Sequence, residues 1–176
     1  MSTTSSVSDL PDGSARTAVI VVPARYASTR YPGKPLALLK GASGLSKTLI
    51  QRSWEAAIVV PEVSRVIVAT DDARIADVAQ GFGAEVVMTP ESSRNGTERC
   101  AAALDLVGEA DIIVNLQGDA PLTPAPFVSA LLATMRADRS VEVATPVVRV
   151  TPEIHRRLLA AIVLRENVGI VETKVP

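Results

Sequence analysis

The chain has 176 residues, of which 47% are hydrophobic and 21% are charged. This is the size and apolar content of a compact globular domain rather than of a disordered segment. The 18 Lys and Arg residues are balanced by 19 Asp and Glu residues, giving a net charge of -1. That balance excludes an overall field attracting nucleic acid or an anionic membrane, so any anion site must be local.

Cysteine usage and the N-terminal composition indicate the cellular compartment of the protein. Cys100 is the single cysteine and cannot form an internal disulfide, which fits a reducing compartment. No apolar run approaches the roughly 18 residues that a membrane span needs. Residues 1–16 are rich in Ser, Thr, Asp and Gly and lack the apolar core of a signal peptide, so we predict a disordered tail. Together these features predict a cytoplasmic protein without a membrane partner.

Strand and helix patterns alternate along the chain. An almost uninterrupted β-branched run over 17–22 predicts a parallel strand covered on both faces, which Pro23 ends. Apolar residues at helical spacing predict a helix over 46–59. The same patterns predict strands over 65–69, 85–88, 112–116 and 141–148, and helices over 73–80, 97–107, 125–135 and 151–164.

This alternation predicts an α/β fold with a mostly parallel, twisted sheet flanked by helices, because parallel neighbours require crossover connections. Ligands of such sheets bind at the carboxyl ends of the strands. The loops after Val22, Ala69, Met88 and Leu116 are therefore the places to look for a site.

The loop after the first strand is long and carries three cations, Arg25, Arg30 and Lys34. Loops of that length in compact domains are usually functional, and these side chains could converge on a polyphosphate. The loop is not a Walker A motif, because Ser28 stands where its first glycine is required and Pro35 where its Mg-binding Ser or Thr is required. The alternative is three solvated charges on a surface turn.

Two later segments also place polar groups at strand or helix ends. Asp119 follows the apolar strand over 112–116 and adjoins a glycine, which suits Mg²⁺ binding through one carboxylate plus substrate phosphates. The alternative there is an Asx turn. In the second segment, Gly96 permits close backbone approach and Thr97 could cap a helix whose free N–H groups favour anions. The alternative there is a well-capped helix start with no ligand.

The string P-A-R-Y-A-S-T-R-Y-P-G-K-P-L, residues 23–36, resembles the opening signature of the 3-deoxy-manno-octulosonate (Kdo) cytidylyltransferases. In that family the loop wraps the triphosphate of CTP. The resemblance thus implies a nucleotide-binding role for Ala24, Arg25, Ser28, Arg30 and Lys34. Tyr31 stands where the family more often has Leu.

Further segments match the family in the same order, at 68–72, 95–99 and 117–121. The nucleotide or substrate contacts that they imply are Thr70, Asp71, Asn95, Gly96, Thr97 and Gln117. Asp119 is implied as the ligand of Mg²⁺, and the catalytic residues are implied to be Arg25, Lys34 and Asp119. Asn95 and Ala120 replace the family's usual Ser and Glu, so the second change removes a carboxylate.

The resemblance implies a Rossmann-like nucleotide-diphospho-sugar transferase fold and a CTP-dependent nucleotidyltransferase. The reaction would transfer CMP to an acidic sugar, Kdo, as a step of lipopolysaccharide biosynthesis, and release pyrophosphate. No nucleic acid partner is implied.

The resemblance covers Ala18 to about Val148, whereas the family continues with most sugar-binding groups, a second metal-binding Asp and homodimer contacts. We therefore expect a disordered tail over 1–16, a cytidylyltransferase domain over 17–150 and a divergent segment over 151–176, with the fold truncated at the C-terminus. Two alternatives stay open: a truncated, non-catalytic nucleotide-binding or interaction protein, and a cytidylyltransferase for another sugar acid such as a sialic acid or an amino-Kdo analogue.

Overall fold

The structure is a computed structural model that describes residues 16–27, 31–108, 110–147 and 150–163. The predicted tail therefore lies outside the described residues except for its last position. Two predicted site residues, Ser28 and Arg30, and the segment 164–176 also lie outside them.

Helices and strands alternate along the described chain. The strands are β1 (Ala18–Ala24), β2 (Leu38–Lys40), β3 (Ser46–Thr48), β4 (Arg65–Thr70), β5 (Glu85–Met88) and β6 (Ile112–Asn115). The helices are α1 (Leu49–Ile58), α2 (Ala73–Gly81), α3 (Gly96–Val107), α4 (Ala125–Ala137) and α5 (Pro152–Val163), and a short 3-10 turn spans Lys34–Leu36.

The main sheet has four strands in the order β5-β4-β1-β6. Every neighbouring pair is parallel, with Val21 opposite Ile67 on one side and opposite Asn115 on the other. Strand β1 lies in the middle, which explains its unbroken apolar sequence: Ile20, Val21 and Val22 are fully buried. The predicted α/β fold with a parallel sheet flanked by helices is confirmed.

Side chains of β1 alternate between two apolar cores, one on each face of the sheet. Ile20 and Val22 face the larger core, which α1, α2 and α4 complete with Ile50, Ile75 and Val128 among others. Val19 and Val21 face the smaller core, which α3 closes with Cys100 and Ala103. Cys100 is buried there as a small core residue.

The first predicted helix starts three residues later than the sequence pattern suggested. Residues Ser46–Thr48 form β3, which pairs antiparallel with β2 in a small separate sheet. Thr48 then caps α1, because its hydroxyl accepts a hydrogen bond from the backbone N–H of Gln51 at 3.3 Å.

The predicted strand over 141–148 is wrong for residues 141–147, which form no strand; residue 148 lies outside the described part. Val143 and Val147 are 84% and 82% exposed. Alternating apolar residues favour an extended chain, but a strand also needs a partner to satisfy its backbone groups, and none of the described strands pairs with this segment.

The chain divides into two compact units, Met1–Ala144 and Thr145–Pro176. The described part of the second unit contains α5, which confirms the predicted helix after Thr151. The Thr151 hydroxyl accepts a hydrogen bond from the Ile154 N–H at 3.2 Å at its start. None of the helices within the described ranges is long and apolar enough to cross a membrane.

Candidate functional site

A cavity of about 440 Å³ opens at the carboxyl ends of β1 and β6. The chain leaves β1 towards β4 on one side and later returns to β6 on the other, so the cavity lies at the topological switch point, where open α/β sheets bind ligands. Its lining residues are Pro23, Ala24, Arg25, Tyr31, Lys34, Pro35, Leu49, Asn95, Gly96, Arg99, Gln117, Gly118 and Asp119.

Lys34 and Asp119 meet in this cavity. The Lys34 Nζ lies 2.6 Å from Asp119 Oδ2, and the two side chains are 46% and 53% exposed. Lys34 begins the 3-10 turn directly after Gly33, whose φ of 69° is the left-handed conformation that favours glycine. An ammonium and a carboxylate are thus held side by side where solvent or a ligand can reach both.

Close packing fixes the position of Asp119. The neighbouring Gly118 is buried, and its carbonyl accepts a hydrogen bond from the buried Ser53 hydroxyl at 2.9 Å. A Cβ on Gly118 would lie 2.5 Å from the carbonyl oxygen of Pro23. Only glycine therefore lets the segment after β6 approach the end of β1 so closely.

Arg25 supplies a second cation to the cavity. It follows β1 directly, its side chain is exposed, and its Nη1 donates to the carbonyl of Arg94 at 3.1 Å. That hydrogen bond links the loop after β1 to the segment before α3. Arg25 makes no ion pair among the described residues, so its charge remains available to an anion.

The N-terminus of α3 forms another part of the cavity lining. Asn95 caps the helix, because its Oδ1 accepts from the Glu98 N–H at 2.9 Å, while Glu98 Oε2 accepts from the Arg94 N–H at 2.9 Å. The side-chain contact with Arg94 holds the pKa of the Glu98 carboxyl below its usual range. The prediction that Thr97 caps the helix is wrong: Asn95, as good a cap as serine, takes that position.

Gly96 and Gln117 lie next to each other in the cavity lining. A Cβ on Gly96 would lie 3.0 Å from both terminal atoms of the Gln117 amide and 3.2 Å from Pro23 Cγ. The Gln117 Nε2 donates to Asn115 Oδ1 at 2.8 Å, which turns its amide along the strand end. This geometry places a hydrogen-bonding amide directly beside the helix terminus.

Arg99 is a cavity residue that the sequence patterns did not predict. Its side chain is only 2% exposed, pairs with Asp71 Oδ2 at 2.7 Å and donates to the hydroxyl of buried Thr89. One signal could have found it: Arg99 stands one helical turn before buried Ala103, on the stripe that faces the core. An arginine there requires a carboxylate partner.

The structure brings together most of the predicted site residues and separates a few. Those lining the cavity are Ala24, Arg25, Lys34, Asn95, Gly96, Gln117 and Asp119. Thr70 is buried, with its hydroxyl accepting from the Asp72 N–H at 3.2 Å, and Asp71 is engaged by Arg99; neither lines the cavity. Thr97 is exposed on α3 and does not line the cavity.

Among the described residues that line the cavity, Asp119 is the one carboxylate. Within the described residues, no group of three or more His, Cys, Asp or Glu side chains could hold a metal ion by itself. One carboxylate nevertheless fits Mg²⁺, because this ion commonly completes its shell with water and substrate phosphates. The donor set thus suits an ion that arrives with a nucleotide.

Comparison with known proteins places the chain in a family. The cytidylyltransferase family matches residues 19–168, so the chain belongs to it.

Two curated relatives and one solved structure that resemble the chain carry names more specific than that of the family. The chain is 48% identical over 141 residues to the 3-deoxy-manno-octulosonate cytidylyltransferase of Maricaulis maris, covering 80% of this chain and 52% of that protein. It is 45% identical over 128 residues to the Escherichia coli protein of the same name, covering 73% and 50%. A structure of CMP:2-keto-3-deoxy-manno-octonic acid synthetase complexed with CTP superposes with a TM-score of 0.66 and 44% identity, over 71% of this chain and 49% of that one. The chain spans about half the length of the curated relatives it matches.

Proposed function

We propose that this chain binds CTP in the cavity and transfers CMP to an acidic sugar, Kdo, with release of pyrophosphate. The observation that carries the proposal is the meeting of Lys34 and Asp119 at 2.6 Å, beside Arg25, at the switch point of a parallel sheet. A triphosphate needs cations and its metal ion needs a carboxylate, and this cavity offers both. The relatives named as Kdo cytidylyltransferases support the choice of nucleotide and sugar.

The reaction requires positioning and charge stabilisation rather than an enzyme nucleophile. The anomeric hydroxyl of the sugar attacks the α-phosphorus of CTP in line; the new O–P bond forms as the bond to the pyrophosphate oxygen breaks, and the hydroxyl proton passes to solvent. Arg25 and Lys34, with Ser28 and Arg30, hold the phosphates in that alignment and offset the negative charge that develops. Removing one such cation should slow the reaction on the order of 10²-fold.

We assign the metal role to Asp119. When bound there, a divalent ion, Mg²⁺ in this proposal, supplies Lewis-acid charge neutralisation at the phosphates. The chain's own part is to present one Asp119 oxygen to the ion and to move Lys34 from Asp119 to a phosphate. The exposure of both side chains makes that exchange of partners accessible.

The lining residues at the start of α3 and at Gln117 would hold the nucleoside and the sugar. Asn95 and Gly96 present the N-terminus of α3, and the Gln117 amide lies next to it. Thr70 and Asp71 act indirectly in this proposal, since neither lines the cavity and Asp71 neutralises Arg99, which does. Thr97 contributes through its backbone N–H at the helix start.

Incubation with CTP, Mg²⁺ and Kdo, followed by detection of pyrophosphate, tests the proposal. Release that depends on all three components is expected. A chain that neither binds CTP nor releases pyrophosphate would refute it.

The alternative, a nucleotide-binding protein without turnover, is separated from this proposal by the same experiment. CTP binding without pyrophosphate release would support the alternative.

Replacing Kdo by a sialic acid or an amino-Kdo analogue tests the choice of sugar. Homodimer assembly and a cytoplasmic location also belong to the proposal; light scattering of the purified chain tests the first.

A further inference from the structure

Arg25 and Lys34, two cations that line the cavity, flank a backbone contact between Tyr26 and Gly33. We call this contact the closure. Arg25 precedes Tyr26, and Lys34 follows Gly33. The Gly33 N–H donates to the Tyr26 carbonyl at 2.9 Å. The Tyr26 ring also covers Gly33 so closely that a Cβ there would lie 2.9 Å from Cε2 of the ring. The position of Tyr26 therefore sets the distance between Arg25 and Lys34.

An arginine from α2 stacks on the Tyr26 ring. The guanidinium carbon of Arg74 lies 3.4 Å from the ring centroid, a cation–π geometry. Asp72 fixes that guanidinium with two hydrogen bonds, Nε to Oδ1 at 3.0 Å and Nη2 to Oδ2 at 2.6 Å. Asp72 also caps α2 by accepting from the Arg74 N–H at 2.9 Å, so the arginine is anchored to the helix start.

We infer that the stack of Arg74 on Tyr26 positions the cations of the nucleotide site. It connects the loop after β1 to α2 and so fixes the distance between Arg25 and Lys34. Neither Tyr26 nor Arg74 lines the cavity, so both act through their neighbours rather than on a ligand. The inference rests on the proposed function for its ligand, the phosphate chain of a nucleotide. The closure itself exists without that ligand.

Amide hydrogen exchange at Gly33 in the nucleotide-free protein tests the closure. Arg74→Ala should speed exchange of the Gly33 amide about two- to fivefold, as expected for loss of an exposed cation–π contact. Tyr26→Leu should speed it at least as much, and Tyr26→Phe, which keeps the ring, should leave it unchanged. Adding Arg74→Ala to Tyr26→Leu should have no further effect, because the contact is already lost.

The matched control is Arg65→Ala. Arg65 is also a partly exposed, ion-paired arginine, but it lies at the amino end of β4, away from the cavity. It should leave the Gly33 exchange rate unchanged. A Gly33 amide that exchanges in Arg74→Ala at the wild-type rate would overturn the inference.

A second readout separates positioning from simple stability. The CTP affinity of Arg74→Ala should fall by a similar factor while its unfolding midpoint matches that of Arg65→Ala. Unchanged CTP affinity in Arg74→Ala would also overturn the inference. A wild-type chain that binds no CTP would contradict the proposed function instead, and the Gly33 exchange rates would still decide whether the stack holds the closure.

Discussion

Lys34 and Asp119, 85 positions apart in the sequence, are joined by a 2.6 Å contact between Nζ and Oδ2. Each side chain offsets the charge of the other. A nucleotide phosphate and a divalent ion would each take one of the two partners. In the proposed function, nucleotide and metal binding would therefore be coupled through this pair, which gives opposite predictions for substitutions at its two ends.

Asp119→Asn should strengthen CTP binding in the absence of divalent ions and abolish pyrophosphate release in their presence. The substitution removes a negative charge near the phosphates and frees Lys34. Because exposed ion pairs contribute about 0.2–1 kcal/mol, the metal-free affinity should rise up to about fivefold. Calorimetric titration with CTP in a chelator measures it. The control is Asp105→Asn, an exposed carboxylate of α3 outside the cavity. Weaker metal-free binding by Asp119→Asn would count against the coupling.

Gly118→Ala should destabilise the protein by about 1–3 kcal/mol, the usual cost of overpacking a close contact. Its new Cβ would lie 2.5 Å from the Pro23 carbonyl oxygen, which belongs to the backbone of a central strand and cannot move aside. Urea unfolding measures the change. Gly81→Ala is the control, because a Cβ there meets nothing within 4 Å. It should be neutral or slightly stabilising within α2. Equal stabilities of the two variants would contradict a close contact between Gly118 and Pro23.

Arg99→Met should destabilise the protein by about 3 kcal/mol, because it leaves the largely buried carboxylate of Asp71 without its partner. Adding Asp71→Asn to Arg99→Met should recover part of the loss, since no uncompensated charge then remains. Denaturant titration of the wild type, both single variants and the double variant gives the coupling energy. Strictly additive effects would show that the pair contributes nothing as a pair.

Cys100 should resist thiol reagents in the folded protein. Burial raises its pKa from 9.0 to about 11, so almost no thiolate forms near neutral pH. Since the folded state holds this proton more tightly than the unfolded state, the free energy of unfolding should decline as pH rises from about 9 towards 11. Labelling with a disulfide reagent, with and without denaturant, measures the reactivity. Equal labelling rates in both conditions would show that the thiol is not buried.

Local chemistry explains which features the sequence could predict. The β-branched run of β1 and the acid at the end of β6 are local patterns, and both lie where they were predicted. The Asn95 cap also had a local signal, since Glu98 stands three residues later as in a capping box.

Other features depend on distant partners. The Arg99–Asp71 pair and the closure between Tyr26 and Gly33 arise only when separate elements pack together. The segment 141–147 has the composition of a strand, but pairing requires a neighbour that composition does not specify.

The most direct test of the nucleotide site compares CTP binding by the wild type with that of Lys34→Ala and Lys47→Ala in the presence of Mg²⁺. Lys47 is the matched control, since it is a partly exposed lysine paired with Glu55 and does not line the cavity. We predict that Lys34→Ala weakens CTP binding at least tenfold, as expected for loss of a charge-assisted contact of about 1.5–3 kcal/mol, while Lys47→Ala binds like the wild type. Wild-type affinity in Lys34→Ala would contradict the account.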